Sequence, residues 1–125
     1  MTNATGPIVS SYTRRQALAD GVLLDATDMA REAGFRIPVA LTCGVWSRCV
    51  AVPLACPGQD EAGRLWDILW MLRYAATMHG EEHSLLFELY VQNEPAGTEL
   101  IVLKAHCGPG DAGEPVVTVM LPDED

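Results

Sequence analysis

The side chains with the most chemistry in them are four cysteines, Cys43, Cys49, Cys56 and Cys107, and three histidines, His79, His83 and His106. Thiols and imidazoles are zinc ligands, but structural zinc sites usually carry a pair of cysteines separated by about two to four residues. The cysteine spacings contain no such pair, so no metal site is expected. His106 precedes Cys107, which suggests a thiol–imidazole dyad. Adjacent strand residues point to opposite faces, so the two cannot serve each other there. The glycine-rich run Gly108-Pro109-Gly110-Asp111-Ala112-Gly113 lacks both the lysine and the following helix of a phosphate loop. It reads instead as a hairpin connection. Asp25, Asp28 and Glu32 supply too few oxygens for a hard cation. No catalytic residue and no cofactor are therefore expected.

One constellation survives. With about 100° per helical residue, Ala62, Leu65, Trp66, Leu69, Trp70, Leu72 and Ala76 form a broad apolar face. Arg73 falls within that face, beside both indoles. Tryptophan and arginine are over-represented among interface residues that carry binding energy. Trp66, Trp70 and Arg73 are thus the candidate interaction patch.

The elements that must position this patch can be read from caps and periods. Thr13 caps a short helix from Arg14 to about Asp20, which Gly21 ends. Val22-Leu23-Leu24 is a short extended run. Thr27 caps a second helix through Ala33, with Gly34 as its stop. Residues 35–41 contain Pro38 and read as an extended connection. Thr42 caps a third helix to about Ala51, which places Cys43, Trp46, Cys49 and Val50 on one face. The longest helix runs from about Asp60 to Met78. The period then changes to two. Strands contain Leu85, Phe87, Leu89 and Val91; Ile101, Leu103, Ala105 and Cys107; and Val117, Val119 and Leu121, each run alternating with outward residues. The expected fold is α+β. Short N-terminal helices and one long helix pack on a C-terminal three-stranded antiparallel meander. Residues 1–12 form a frayed N-terminal leader and residues 13–125 a single domain.

The chain has 8 basic and 17 acidic side chains, for a net charge of −9. Residues 1–60 are balanced, so residues 61–125 carry the whole excess. Such a surface repels phosphates, which argues against direct nucleic-acid binding and favours a basic protein partner. Glu88, Glu94, Glu99, Glu114, Asp123, Glu124 and Asp125 make up the candidate acidic surface. No apolar run is long enough for a membrane helix, and the start has no signal-peptide pattern. A cytoplasmic protein with reduced thiols is expected. Leu86, Val102 and Met120, on the outer sheet face, offer a surface for a homodimer.

Several stretches carry a family resemblance. They include Ser11-Tyr12-Thr13-Arg14, Ala30-Arg31-Glu32-Ala33-Gly34-Phe35, Gly58-Gln59-Asp60-Glu61-Ala62-Gly63-Arg64-Leu65-Trp66-Asp67 and the closing Leu121-Pro122-Asp123-Glu124-Asp125. Through them the chain resembles a family of short uncharacterised bacterial proteins carried on plasmids and integrative mobile elements. The resemblance implies a mobile-element setting and supplies no catalytic residue. The expected function is a non-catalytic protein-interaction module, in its most specific form an acidic inhibitor of a host DNA-binding or defence protein. The alternative is a small-molecule-binding or enzymatic domain with its site around Trp66, Trp70 and Arg73.

Overall fold

The computed structural model describes residues 12–79 and 82–124. The expected leader therefore falls mostly outside the described residues; Tyr12, within them, donates its hydroxyl to Asp20 (2.9 Å). In chain order the elements are α1 (Arg14–Asp20), β1 (Leu23–Asp25), α2 (Thr27–Glu32), β2 (Val39–Thr42), α3 (Cys43–Val45), α4 (Glu61–His79), β3 (Ser84–Glu94), β4 (Gly97–Pro109) and β5 (Pro115–Met120).

Local signals explain most boundaries. Thr13 and Gln16 form a reciprocal capping box at the start of α1, and Gly21 ends it with φ 79°. Asp60 opens α4, accepting the Gly63 amide at 2.6 Å. Thr42 caps α3 by accepting the Val45 amide at 3.3 Å. Thr27 does not cap α2: Ala26 occupies that position, and the Thr27 hydroxyl instead accepts the Val39 amide at 3.2 Å. The third helix is one α turn followed by a wider π turn over Trp46–Val50. That widening shifts the buried face, so Val45, Cys49 and Val50 are buried and Cys43 is exposed.

Among the described residues the sheet has five strands, in the order β1-β2-β5-β4-β3. This corrects the expected three-stranded sheet. The β3-β4-β5 meander is antiparallel, but β5 also pairs in parallel with β2, and β2 pairs antiparallel with β1. Residues 35–41 are thus not merely a connection: Pro38 gives its carbonyl to the Val117 amide at 2.9 Å, and Val39 to Leu41 lie against Val117 to Val119. As an inner strand, β5 is covered on both faces. Arg14 of α1 reaches its outer side, donating to Thr118 Oγ1 (2.7 Å) and the Val117 carbonyl (3.0 Å). Met120, expected to face outward, is buried.

Helix α4 closes the core with Leu65, Ile68, Leu69 and Leu72, packed over Phe87, Leu89, Ile101, Leu103 and Val119. The buried line is turned by roughly a fifth of a turn from the expected face, away from Trp66, Trp70 and Arg73. Arg64, not Arg73, is the buried arginine.

Candidate functional site

Trp66 and Trp70 stand one helical turn apart and stack with centroids 6.0 Å apart and planes 19° from parallel. Their position on the flank of α4 leaves Trp70 55% exposed. Arg73 does not join them. It turns toward α2, donating to the Ala33 carbonyl at 2.8 Å and lying against Gly34. There it satisfies a helix C-terminus. Gly34 has φ 105°, and a Cβ there would collide with the Arg73 guanidinium.

The indoles instead form part of a hollow of about 430 Å³ with Asp67 and Met71 of α4 and Glu88, Leu89, Tyr90 and Leu100 of the sheet. Leu89 points into the core, whereas Glu88 and Tyr90 point to the other face. A space that touches all three opens on the free edge of β3, not on either face of the sheet. Two further hollows continue along the same edge. One of about 600 Å³ is bounded by Tyr74 and Met78 of α4 and by Leu86 and Phe87. One of about 340 Å³ lies at the start of the strand by Ser84 and Leu85. Together they make a groove between α4 and β3 that runs from Ser84 to Tyr90. Trp70, Tyr74 and Met78 follow one another at four-residue intervals along the helix, and all are exposed, as are Leu86, Tyr90 and Leu100.

Arg64 anchors the far end of this groove. Its Nε donates to the Cys49 carbonyl (2.9 Å), Nη1 to Gln59 Oε1 (3.0 Å) and the Gln92 carbonyl (2.8 Å), and Nη2 to Asn93 Oδ1 (2.7 Å). A buried guanidinium is thus satisfied by neutral oxygens, tying the π turn, α4 and the end of β3 together. Glycine and proline breaks hid this role in the sequence. Its only legible trace is an arginine next to Leu65 on the core side of the helix.

The candidate acidic surface is dispersed. Glu99 pairs with Arg48 (3.3 Å). Glu114 closes its own loop by accepting the Ala112 amide (2.9 Å). Glu124 accepts from Thr42 Oγ1 and the Leu121 amide, both at 2.7 Å, while its carbonyl takes the Lys104 ammonium at 2.8 Å. Glu94 lies at the hairpin end of β3, Asp123 is exposed in the closing turn, and Asp125 lies outside the described residues. Glu99 and Glu114 stand near opposite ends of β4, roughly 35 Å apart at strand rise. Of the described members of this candidate surface, Glu88 alone lies in the groove.

The other chemical candidates separate in space. Cys49 and Cys56 are buried, Cys107 is half-buried and Cys43 is exposed. Burial pushes the Cys49 thiol up to about 11, which keeps it protonated and unreactive. Among the described residues no three histidine, cysteine or acidic side chains gather as a metal set. His106 contacts not Cys107 but Ser84, across the strands, with Nδ1 2.9 Å from Oγ. Both are exposed, and among the described residues no carboxylate orients the imidazole, so the serine is not activated. The glycine run forms the β4–β5 connection, with Gly113 at φ 84°. Its Asp111 accepts the amides of Arg15 (3.0 Å) and Arg14 (2.9 Å), which hold its carboxyl below the usual range and dock α1 on the sheet. No helix of the described residues is long and apolar enough to cross a membrane.

No curated protein and no solved structure matches the chain. One family does, over residues 1–125, under the description "Family of unknown function (DUF6573)". The chain that carries this groove therefore belongs to the DUF6573 family.

Proposed function

We propose that this protein is a non-catalytic interaction module whose working surface is the groove between α4 and β3. The observation that carries it is the unfilled groove itself. Stacked indoles and a row of exposed apolar side chains flank a sheet edge, in a chain where Arg64, Arg73, Asp111 and Glu124 are committed to holding the fold. Exposed apolar surface of this continuity marks a binding site more often than it marks chance. The titratable pair that lines the groove, His79 with Glu82 at 3.3 Å, is exposed, and Ser84 in the same hollow bonds to His106 instead, so no activated nucleophile is formed there among the described residues.

The partner is a protein with a basic surface. In the bacterial, mobile-element setting that the family resemblance implies, it is a host DNA-binding or defence protein, and the module acts as its inhibitor. The net charge of −9 supports this by steering a basic partner toward the chain. The carboxylates are too dispersed to copy a row of phosphates, so contact is made through the groove and charge governs the approach. A small-molecule site at Trp66, Trp70 and Arg73 is the weaker alternative, because Arg73 is spent on α2.

Affinity purification of the full chain from host cells, with mass spectrometry of what accompanies it, tests the proposal. A specific partner should be lost with the Trp66→Ala/Trp70→Ala double variant and kept with Asp123→Asn. Retention of the same partner by the double-tryptophan variant would place the working surface elsewhere.

A further inference from the structure

On the reading that the α4–β3 groove is the working surface, we infer that it takes its partner by strand addition: an extended segment bearing a lysine or arginine between alternating apolar residues pairs with the free edge of β3. The backbone is set for this. Among the described residues, strand β3 is the last strand of the sheet and pairs with β4 alone. The Cys107 amide donates to the His83 carbonyl at 2.7 Å, so the polar edge of His83 faces β4. In an antiparallel ladder every second residue does the same. Leu85, Phe87, Leu89 and Val91 therefore bond to β4, while Leu86, Glu88 and Tyr90 turn both N–H and C=O outward. The Gln92 carbonyl continues that outward series, and there Arg64 and Gln59 cap it at 2.8 and 2.9 Å. Among the described residues nothing caps Leu86, Glu88 or Tyr90.

Natural sheet edges are blunted by proline, lysine, bulges or a covering element. From Ser84 to Val91 this edge has no proline and no lysine, and its register shift comes only between Val91 and Glu94. The space beside it is open along its length, which admits about six or seven residues of added strand. Alternate side chains of such a strand would meet the α4 wall at Trp70 and Tyr74 and the outer wall at Leu86 and Leu100.

The charge of the occupant follows from the groove's own carboxylates. Asp67 and Glu88 line the hollow that holds the two indoles, and neither has an ion-pair partner among the described residues. No cation lines that hollow. A lysine or arginine seated there meets two carboxylates and the faces of Trp66, Trp70 or Tyr90. A second copy fits worse. Pairing two β3 edges would cover both carboxylates of each chain and offer in return only Lys104, whose ammonium is already held by the Glu124 carbonyl, and the Glu82-paired His79, between molecules that each carry −9.

An array of capped nonapeptides, valine or tyrosine at every second position and arginine, lysine, norleucine or glutamate at the centre, tests this against the full-length chain. Arginine and lysine peptides should bind at least tenfold more tightly than glutamate peptides, and Asp67→Asn/Glu88→Gln should remove that preference. N-methylation of alternate peptide amides should abolish binding in one register and be tolerated in the other. No binding in the array, equal binding of central arginine and glutamate, or indifference to N-methylation would overturn strand addition by a basic segment. So would concentration-dependent dimerisation of the free chain that is broken by Leu86→Pro. If the array fails while the double-tryptophan variant still loses its cellular partner, only the mode falls and the groove remains the working surface.

Discussion

Arg64 carries a full charge into the core with no carboxylate among the described residues to meet it, and its four hydrogen bonds there all end on neutral oxygens. Removing it leaves the Cys49 carbonyl and Asn93 without those donors and opens a cavity. Arg64→Ala should lower unfolding free energy by about 3 kcal/mol in urea titrations, and Arg64→Lys should recover only part, because an ammonium cannot span acceptors so far apart. Cys49 adds a pH dependence. Its thiol is raised from 9.0 to about 11 by burial, with the positive charges of Arg48 and Arg64 pulling the other way. A raised pKa means the unfolded chain loses its proton first as pH rises. The associated stability is present below about 9 and lost on the way to about 11. Urea midpoints measured across that window should fall, and they should fall less steeply in Cys49→Ala. At this scale the sequence was misleading about one residue in particular. Without Ile68 the apolar face of α4 centres toward Trp66, which puts Arg73 within it. With Ile68 included, the inward line is Leu65, Ile68, Leu69 and Leu72, and Arg64 lies on it.

Among the elements, α4 and β3 divide the labour between fold and site. Leu69 is fully buried and Trp70, its neighbour, is more than half exposed. Leu69→Ala should cost roughly 2–5 kcal/mol of stability, whereas Trp70→Ala should cost less than about 1 kcal/mol and still lose partner binding. Equilibrium unfolding together with partner capture separates the two effects. The long helix and the meander strands were legible because their periods, near 3.6 and 2, persist over many residues. β1 and β2 were legible only as extended runs and not as sheet strands, since three and four residues carry almost no period. The parallel pairing of β2 with β5 joins segments far apart in the chain, and no local pattern announces it. The indole half of the candidate patch could be read from residue type. The groove could not, because its defining feature is an unpaired backbone edge.

For the molecule as a whole, the −9 charge is a long-range property with no single seat. Three acidic side chains of the candidate surface, Glu99, Glu114 and Glu124, are occupied in the fold. On the proposed reading the remaining field steers a basic partner, and it is screened by salt. Partner affinity should fall by on the order of tenfold as ionic strength rises from about 0.05 to 0.5 M, with most of the loss in the association rate, as surface plasmon resonance would show.

On the proposed reading, this protein meets its partner at the free edge of β3 beside α4. Residue-resolved amide hydrogen exchange, measured on the free chain and on its complex with the captured partner, tests it most directly. In the free chain Leu86, Glu88 and Tyr90 should exchange rapidly while Leu85, Phe87, Leu89 and Val91 are protected by β4. In the complex the first three should slow by on the order of a hundredfold or more. Protection of Leu86, Glu88 and Tyr90 in the free chain, or their continued rapid exchange in the complex, would contradict the account.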